Sequence, residues 1–313
     1  MSKNVFEKYP KVTISVLLLL LGIASLFMIE SLAKRFGLGN VVIYDSHPVY
    51  GYRLHPNQQV ARQANKPIQV NNLGLRAQAD WDITDTQNKI LFVGDSVTYG
   101  GSYINNTELF SFLATQNLPG YQSGNAGVNG WGVLNVHALI KEMNFLPADI
   151  YVSVFPEGDF YRGLMRIGGQ PFWTRPPRSA LEELAHYFLY KIQLTQTPPV
   201  LFYTLNEDEK FQIADHAAYY LKSYDSYLKN AGKKHLIYIS PSRSELLYNN
   251  ENDHLVLKAL EKHGLEVVYL RDKITTQSTE EINALFHDEI HLSERGHQQW
   301  AQLIEEDLKK LIS

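Results

Sequence analysis

The sequence predicts an α/β protein: a parallel sheet with helices on both faces. Three observations carry that expectation. The candidate strands are mostly continuous apolar runs, as in strands buried on both faces. Between them lie stretches with apolar residues at helical spacing. The clearest strand, Ile90 to Val93, runs into Gly94-Asp95-Ser96, which sets a hydroxyl at the carboxyl end of a buried strand, where open α/β sheets bind ligands.

In chain order, the first element is the uncharged apolar run Val12 to Ile29. At roughly 18 residues it is at the short end of what crosses a bilayer as a helix. A retained anchor competes with a signal peptide cleaved after the small-x-small stretch Ser31-Leu32-Ala33. The run is longer than a usual signal core, and Glu30 stands where a processing site should be small and neutral, so residues 1–36 read as an anchor. Lys3, Lys8 and Lys11 precede the run and Lys34 and Arg35 follow it, a slight positive-inside bias. It places the N-terminus in the cytoplasm and the large domain outside.

Residues 37–88 read as an irregular connector with turn signals at His47-Pro48, His55-Pro56 and Asn71-Asn72-Leu73-Gly74. Tyr44, Val49, Tyr50 and Tyr52 give it apolar surface to pack on a main domain of residues 89–313. There the expected strands are Ile90 to Val93, a short one ending at Asn125, Ile150 to Phe155, Leu236 to Ser240 and Leu265 to Leu270. Leu181, Leu184, Ala185, Phe188 and Leu189 share one helical face, as do Ile213, Ala217, Tyr220, Leu221, Tyr224 and Leu228. Ser293 can cap a last helix striped by Trp300, Leu303, Ile304, Leu308 and Leu311. All three stripes read as core. Residues 160–207 interrupt the alternation with Gly168-Gly169, Pro171-Phe172-Trp173, Pro176, Pro177, Pro198 and Pro199. This insertion is either one wall of a substrate cleft or a packed surface excursion.

Composition removes several classes of function. The 313 residues are 44% hydrophobic and 20% charged, ample for a folded domain plus an appendage. A net charge of -4 argues against a general nucleic-acid binder. With no cysteine there is no disulfide, thiolate metal site, cysteine nucleophile or lipidated N-terminal cysteine. The chain also lacks G-x-S-x-G, G-x-x-x-x-G-K-[ST], H-E-x-x-H and G-x-G-x-x-G, so no cofactor or metal is expected.

Ester cleavage by serine needs a base for the hydroxyl proton, a carboxylate to hold that base, and donors for the developing oxyanion. Ser96 is the candidate nucleophile and His291 the base. Asp288 is the orienting acid, because residues three apart in a tight or helical turn point the same way; Glu289 and Asp95 point elsewhere on that geometry. The loop Gly124-Asn125-Ala126-Gly127-Val128-Asn129-Gly130-Trp131-Gly132 could bring a backbone N–H close to a substrate.

Gly94-Asp95-Ser96, the Asn125 to Gly130 loop and Asp288-x-x-His291, in that order, resemble the SGNH (GDSL-type) hydrolase family over roughly residues 89–313. The resemblance implies a flavodoxin-like three-layer α/β/α sandwich. It also implies Ser96 as nucleophile and first oxyanion donor, Gly130 as second donor, and Asp288 with His291 as the rest of a triad. One block departs. The family carries Gly-x-Asn-Asp after the third strand, whereas here the strand ends Phe155-Pro156-Glu157-Gly158-Asp159-Phe160. Asp159 matches, but Gly158 stands where the asparagine donor belongs, leaving Asn129 or the Gly158 N–H as substitutes.

Tyr99, Tyr103, Trp131, Phe160, Tyr161 and Trp173 crowd these motifs, and flat apolar faces with polar edges suit sugar rings. Asp159 joins Tyr99, Trp131, Phe160 and Trp173 as candidate substrate contacts. Single-anchor proteins of this build resemble those that add or remove acyl groups on bacterial surface polysaccharides. The expectation is therefore an enzyme of the bacterial inner membrane, its catalytic domain in the periplasm or outside the cell, cleaving O-acyl esters of a glycan, with acetyl as the expected group. Polysaccharide O-acetyl transfer through the same acyl-Ser96 intermediate is the first alternative, and a degenerate glycan-binding or scaffold protein is the second. A glycan, the membrane and envelope polysaccharide-biosynthesis proteins are the expected partners.

Overall fold

The computed structural model describes residues 8–62, 66–143, 147–167, 172–192, 205–248, 255–275 and 278–313. Gly168, Gly169, Pro171, Pro198 and Pro199 of the expected insertion lie outside the described residues.

The first helix, α1 (Pro10–Arg35), contains the apolar run and leaves it exposed, burying only Ala33. Twenty-six residues at 1.5 Å per residue make it about 39 Å long, enough to cross a bilayer. Length and composition suit a membrane span and a signal sequence alike.

The connector is more regular than expected. Strands β1 (Tyr44–His47) and β2 (Gly51–Leu54) form one antiparallel pair, and β3 (Gln58–Ala61) and β4 (Pro67–Val70) another. Four-residue strands carry too few alternations to show a period of two, which is why the stretch reads as irregular. Tyr44, Tyr50, Tyr52, Leu54, Ile68 and Val70 are buried against the main domain.

The rest alternates strand and helix. In order come β5 (Asn88–Gly94), α2 (Ser96–Tyr99), α3 (Phe110–Leu113), β6 (Tyr121–Asn125), α4 (Val133–Glu142), β7 (Ile150–Pro156), α5 (Ala180–Lys191) and α6 (Glu207–Asn230). Then follow β8 (Lys234–Ser240), α7 (Arg243–Tyr248), α8 (Leu255–Lys262), β9 (Val268–Tyr269), α9 (Leu270–Lys273), α10 (Thr279–Leu285) and α11 (Glu294–Ile312). The five strands β5 to β9 are all parallel, in the order β6-β5-β7-β8-β9. Numbered by appearance this is 2-1-3-4-5, the flavodoxin-like order, whose ligand crevice opens at the carboxyl end of the first strand.

Alternate residues of one strand feed two separate cores, as the period of two requires. Leu91 and Val93 pack with α4, α6 and α8, whereas Ile90 and Phe92 pack with α3, α10 and α11. The result is a three-layer α/β/α sandwich. Two expectations are corrected here. The strand foreseen from Leu265 to Leu270 is only Val268–Tyr269, because pairing at the sheet edge is confined to Tyr238 and Ile239 and Leu270 already opens α9. The α5 stripe is not core: Leu184, Phe188 and Leu189 are exposed, and the helix instead buries Ala180 and Glu183.

Candidate active site

The crevice is built by three loops at the carboxyl ends of β5, β6 and β7, joined by the turn before α11. After β5, Asp95 caps α2, its Oδ1 accepting the Val97 N–H at 2.8 Å, and Ser96 becomes the first helical residue. Gly94 lies at φ 159°, and a Cβ there would stand 2.3 Å from both Thr98 Oγ1 and the Val154 carbonyl. Only glycine lets the chain turn into α2 beside β7. Gly127 is constrained in the same way, its missing Cβ falling 2.4 Å from the Tyr99 nitrogen. The β6 loop is tied to the Ser96 loop by Asn125, whose Nδ2 donates to the Thr98 carbonyl at 2.6 Å.

The imidazole arrives from the far end of the chain. Asp288 Oδ1 accepts the backbone N–H groups of Ile290 at 3.0 Å and His291 at 2.8 Å, closing a tight turn. Its Oδ2 lies 2.7 Å from His291 Nδ1, and His291 Nε2 lies 2.8 Å from Ser96 Oγ. With Nδ1 donating to the carboxylate, Nε2 is left as an acceptor facing the hydroxyl. Burial pushes the Asp288 carboxyl up, but the hydrogen bonds from the His291 N–H, its ring and the Ile290 N–H together outweigh this and hold it below its ordinary value. Glu289 turns away to Arg243 and the Ser244 N–H. Asp95 lies 3.2 Å from Ser96 Oγ and, among the described residues, makes no hydrogen bond to the imidazole.

Gly130 has φ +77°, a left-handed turn that presents its N–H without a side chain in the way. Among the described residues neither its N–H nor that of Ser96 has an acceptor in the protein, as an oxyanion donor requires. Tyr52, its phenol pushed up by burial and so protonated, donates to the Asn129 carbonyl at 2.7 Å and braces this loop. Asn129 spends one amide N–H on Tyr44 Oη at 3.0 Å. Gly158 is exposed at the start of a 3-10 turn, with open space where a Cβ would stand.

Of the aromatic candidates, Tyr99, Trp131 and Phe160 are fully buried, as is Asp159. They pack beneath the crevice, and no ligand reaches them in this conformation; side-chain type alone does not distinguish a cleft wall from the core behind it. Tyr103 stacks on His287 with ring centroids 3.9 Å apart. Trp173 is half-buried and lines a cavity of about 250 Å³ with Tyr44, Ser102, Asn129, Phe172 and His186.

Sequence reasoning missed two arginines. Arg162 Nη1 donates to the Trp131 carbonyl at 2.8 Å and to Asp159 Oδ1 at 2.6 Å, and lies 3.3 Å from Asp95 Oδ2, so it fastens all three crevice loops together. The Asp159-x-x-Arg162 spacing was the available signal. Two buried carboxylates share this one guanidinium, an arrangement that disfavours two negative charges side by side. Asp95 accepts from Val97 and Arg162, whereas among the described residues Asp159 Oδ2 has no hydrogen-bond partner, and burial with the Asp95 charge pushes Asp159 well above the usual carboxylate range. Arg76, buried and sent in by the connector, donates to the carbonyls of Tyr99, Gly101 and Ile104 and so holds the loop after α2.

A second serine–histidine–aspartate relay lies in the core. Asp225 Oδ1 is 2.9 Å from His235 Nδ1, and His235 Nε2 is 2.9 Å from Ser153 Oγ, which also meets Tyr224 Oη at 2.8 Å. All four side chains are buried, so this relay satisfies polar groups and meets no substrate. Solvent access separates the two relays, since their distances are nearly the same. Near the crevice His297 is likewise excluded as a base: burial, with help from Arg76, pushes it down to about 3, and it accepts the Phe110 N–H at 3.2 Å.

The fold and site together define a flavodoxin-like α/β protein with an accessible serine–histidine–aspartate relay. No family model matches the chain, and no curated protein does. Among solved structures it is similar to a lipolytic protein of the G-D-S-L family from Veillonella parvula at 13% identity, covering 71% of this chain and 98% of that one with a TM-score of 0.42. It is also similar to the acetylxylan esterase Axe2 from Geobacillus stearothermophilus (17% identity, 71% and 94% covered, TM-score 0.41) and to the acetyl xylan esterase AlAXEase (13%, 72% and 100%, 0.43). The strand order, and not these distant likenesses, carries the fold assignment.

Proposed function

We propose that the protein is a membrane-anchored serine esterase of SGNH type that cleaves O-acyl esters, acetyl first among them, of a bacterial envelope glycan. The observation that carries this reading is the hydrogen-bonded series Asp288–His291–Ser96 at the open end of β5. In the first step Ser96 Oγ bonds to the ester carbon while its proton passes to His291 Nε2, and the carbonyl electron pair moves onto oxygen. The N–H groups of Ser96 and Gly130 receive that oxyanion. As it collapses, the bond to the sugar oxygen breaks, His291 returns its proton to that oxygen, and an acyl-Ser96 ester remains. Water then gives a proton to His291, attacks the acyl carbon and releases the acid with Ser96 restored.

A sugar hydroxyl in place of that water makes the same site an O-acetyltransferase. The cavity beside Asn129, walled by Tyr44, Phe172 and Trp173, has room and aromatic faces for such an acceptor. In this reading helix α1 is the anchor, and the slight excess of basic residues before the apolar run supports a site on the outer side of the cytoplasmic membrane, beside envelope polysaccharide-biosynthesis proteins.

A fluorophosphonate probe and an activated acetyl ester test the reading on the purified full chain. Ser96 is expected to be labelled and the ester cleaved; acetate release that appears only with an added glycan acceptor marks the transferase. No labelling of Ser96 by the probe removes the enzyme and leaves a glycan-binding scaffold.

A further inference from the structure

Helix α5 begins where the apolar part of α1 ends. The uncharged run stops at Ile29, and the Glu30 carboxylate accepts the N–H groups of Ala180 at 3.0 Å and Leu181 at 2.9 Å, capping α5 from a different helix. The same junction is closed from the polar side. Glu183 accepts the Gly39 N–H at 2.6 Å and pairs with Arg62 at 2.7 Å, so the neck leaving α1, the connector and α5 form one joint. Among the described residues the opposite face of α5 has no cover. Leu184 is 41% exposed, Tyr187 51%, Phe188 61% and Ile192 47%, an apolar stripe at helical spacing on a helix about 18 Å long.

We propose that this stripe lies in the lipid–water interface of the membrane that α1 crosses, making α5 a second, in-plane attachment of the domain. The inference rests on α1 being a retained span. If α1 leaves the bilayer at Ile29, the Glu30 contacts fix the first turn of α5 at headgroup level. The helix cannot continue into hydrocarbon, because Glu182, Glu183 and His186 occupy its other face; it cannot rise from the surface without leaving Phe188 and Leu184 in water. Lying in the plane satisfies both faces. Tyr187 with the Lys191 ammonium 5.5 Å from its ring centroid matches the aromatic and basic residues that settle at headgroups. His186 and Tyr187 also line the cavity beside Asn129, so this attachment holds the cavity against the membrane surface.

The chain has no cysteine, so single labels are clean. Leu20→Cys, Phe188→Cys and Gln298→Cys, each carrying an environment-sensitive fluorophore, are reconstituted as full chains in phosphatidylethanolamine–phosphatidylglycerol vesicles with or without brominated acyl chains. All three positions are exposed, so the labels leave the core intact. The brominated lipid is expected to quench Leu20→Cys and Phe188→Cys several-fold more than Gln298→Cys. Quenching at Leu20 with none at Phe188 beyond the Gln298 level overturns the in-plane helix and leaves the anchor standing. No quenching at Leu20 overturns the anchor and this inference with it. A Phe188 label shielded equally in detergent and in both lipids, in proportion to protein concentration, assigns the stripe to a second copy of the chain and also overturns it.

Discussion

His291 Nε2 stands 2.8 Å from Ser96 Oγ across 195 positions of sequence, while His235 makes a nearly equal contact with Ser153 inside the core. The pair of relays gives a direct comparison within one molecule. Ser96→Ala is expected to abolish both probe labelling and ester cleavage with the melting transition little changed. Ser153→Ala is expected to keep full labelling but lose about 1–3 kcal/mol of stability, because Tyr224 Oη and His235 Nε2 are left buried with a partner gone. Urea titration beside gel-based labelling reads both, and labelling that survives in Ser96→Ala contradicts the assignment.

In the proposed mechanism Asp288 holds the His291 ring, its Oδ2 2.7 Å from Nδ1. Its carboxyl is held below the ordinary value, so it remains a carboxylate further into acid than a free aspartate does. A general-base mechanism loses activity toward acid pH, where the base already carries a proton. Asp288→Asn is expected to lower kcat by about 10²–10⁴ without removing labelling entirely, since the proposed oxyanion donors and nucleophile are untouched by the change. A pH–rate profile flat from acid to neutral pH would show that no imidazole acts as base.

Gly158 leaves space where an oxyanion donor could stand. A Cβ built there meets nothing within 4 Å, so Gly158→Asn should fold normally. The added amide is expected to raise kcat toward an activated acetyl ester by up to about a hundredfold, with KM changed less. An unchanged rate would mean that the oxyanion is already fully held by other groups.

Asp159 is the carboxyl pushed above its usual range, so the sign of its pH effect is the reverse of the common one. Between the unfolded value of about 3.9 and the higher folded one, the folded state holds a proton that the unfolded chain releases, and stability falls as pH rises. Asp159→Asn keeps an acceptor for Arg162 and never ionises. Its stability relative to the parent should be higher at pH 7 than at pH 4 in paired urea titrations. A difference that does not change with pH would place the shared proton elsewhere.

Much of this was legible along the chain. Apolar runs marked β5, β7 and β8, Ser293 caps α11 as expected, and Asp288-x-x-His291 closes the turn that its spacing implied. Capping, turn closure and periodicity act over a few residues, so sequence neighbours determine them. The α5 stripe shows the limit: periodicity marked an amphipathic helix, but only packing revealed that its apolar side is the open one.

The sequence by itself determined the α/β alternation, the apolar first helix, the absence of thiol chemistry, and which hydroxyl, imidazole and carboxylate could act together. Tertiary structure alone decided that Ser96 and His291 meet at a partly exposed surface while Ser153 and His235 meet in the core, and that Arg162 and Arg76 lock the crevice loops from beneath. The physical reason is that local hydrogen bonds are set by residues a few positions apart, whereas long-range contact and exposure depend on how whole layers pack, which no short window of sequence contains.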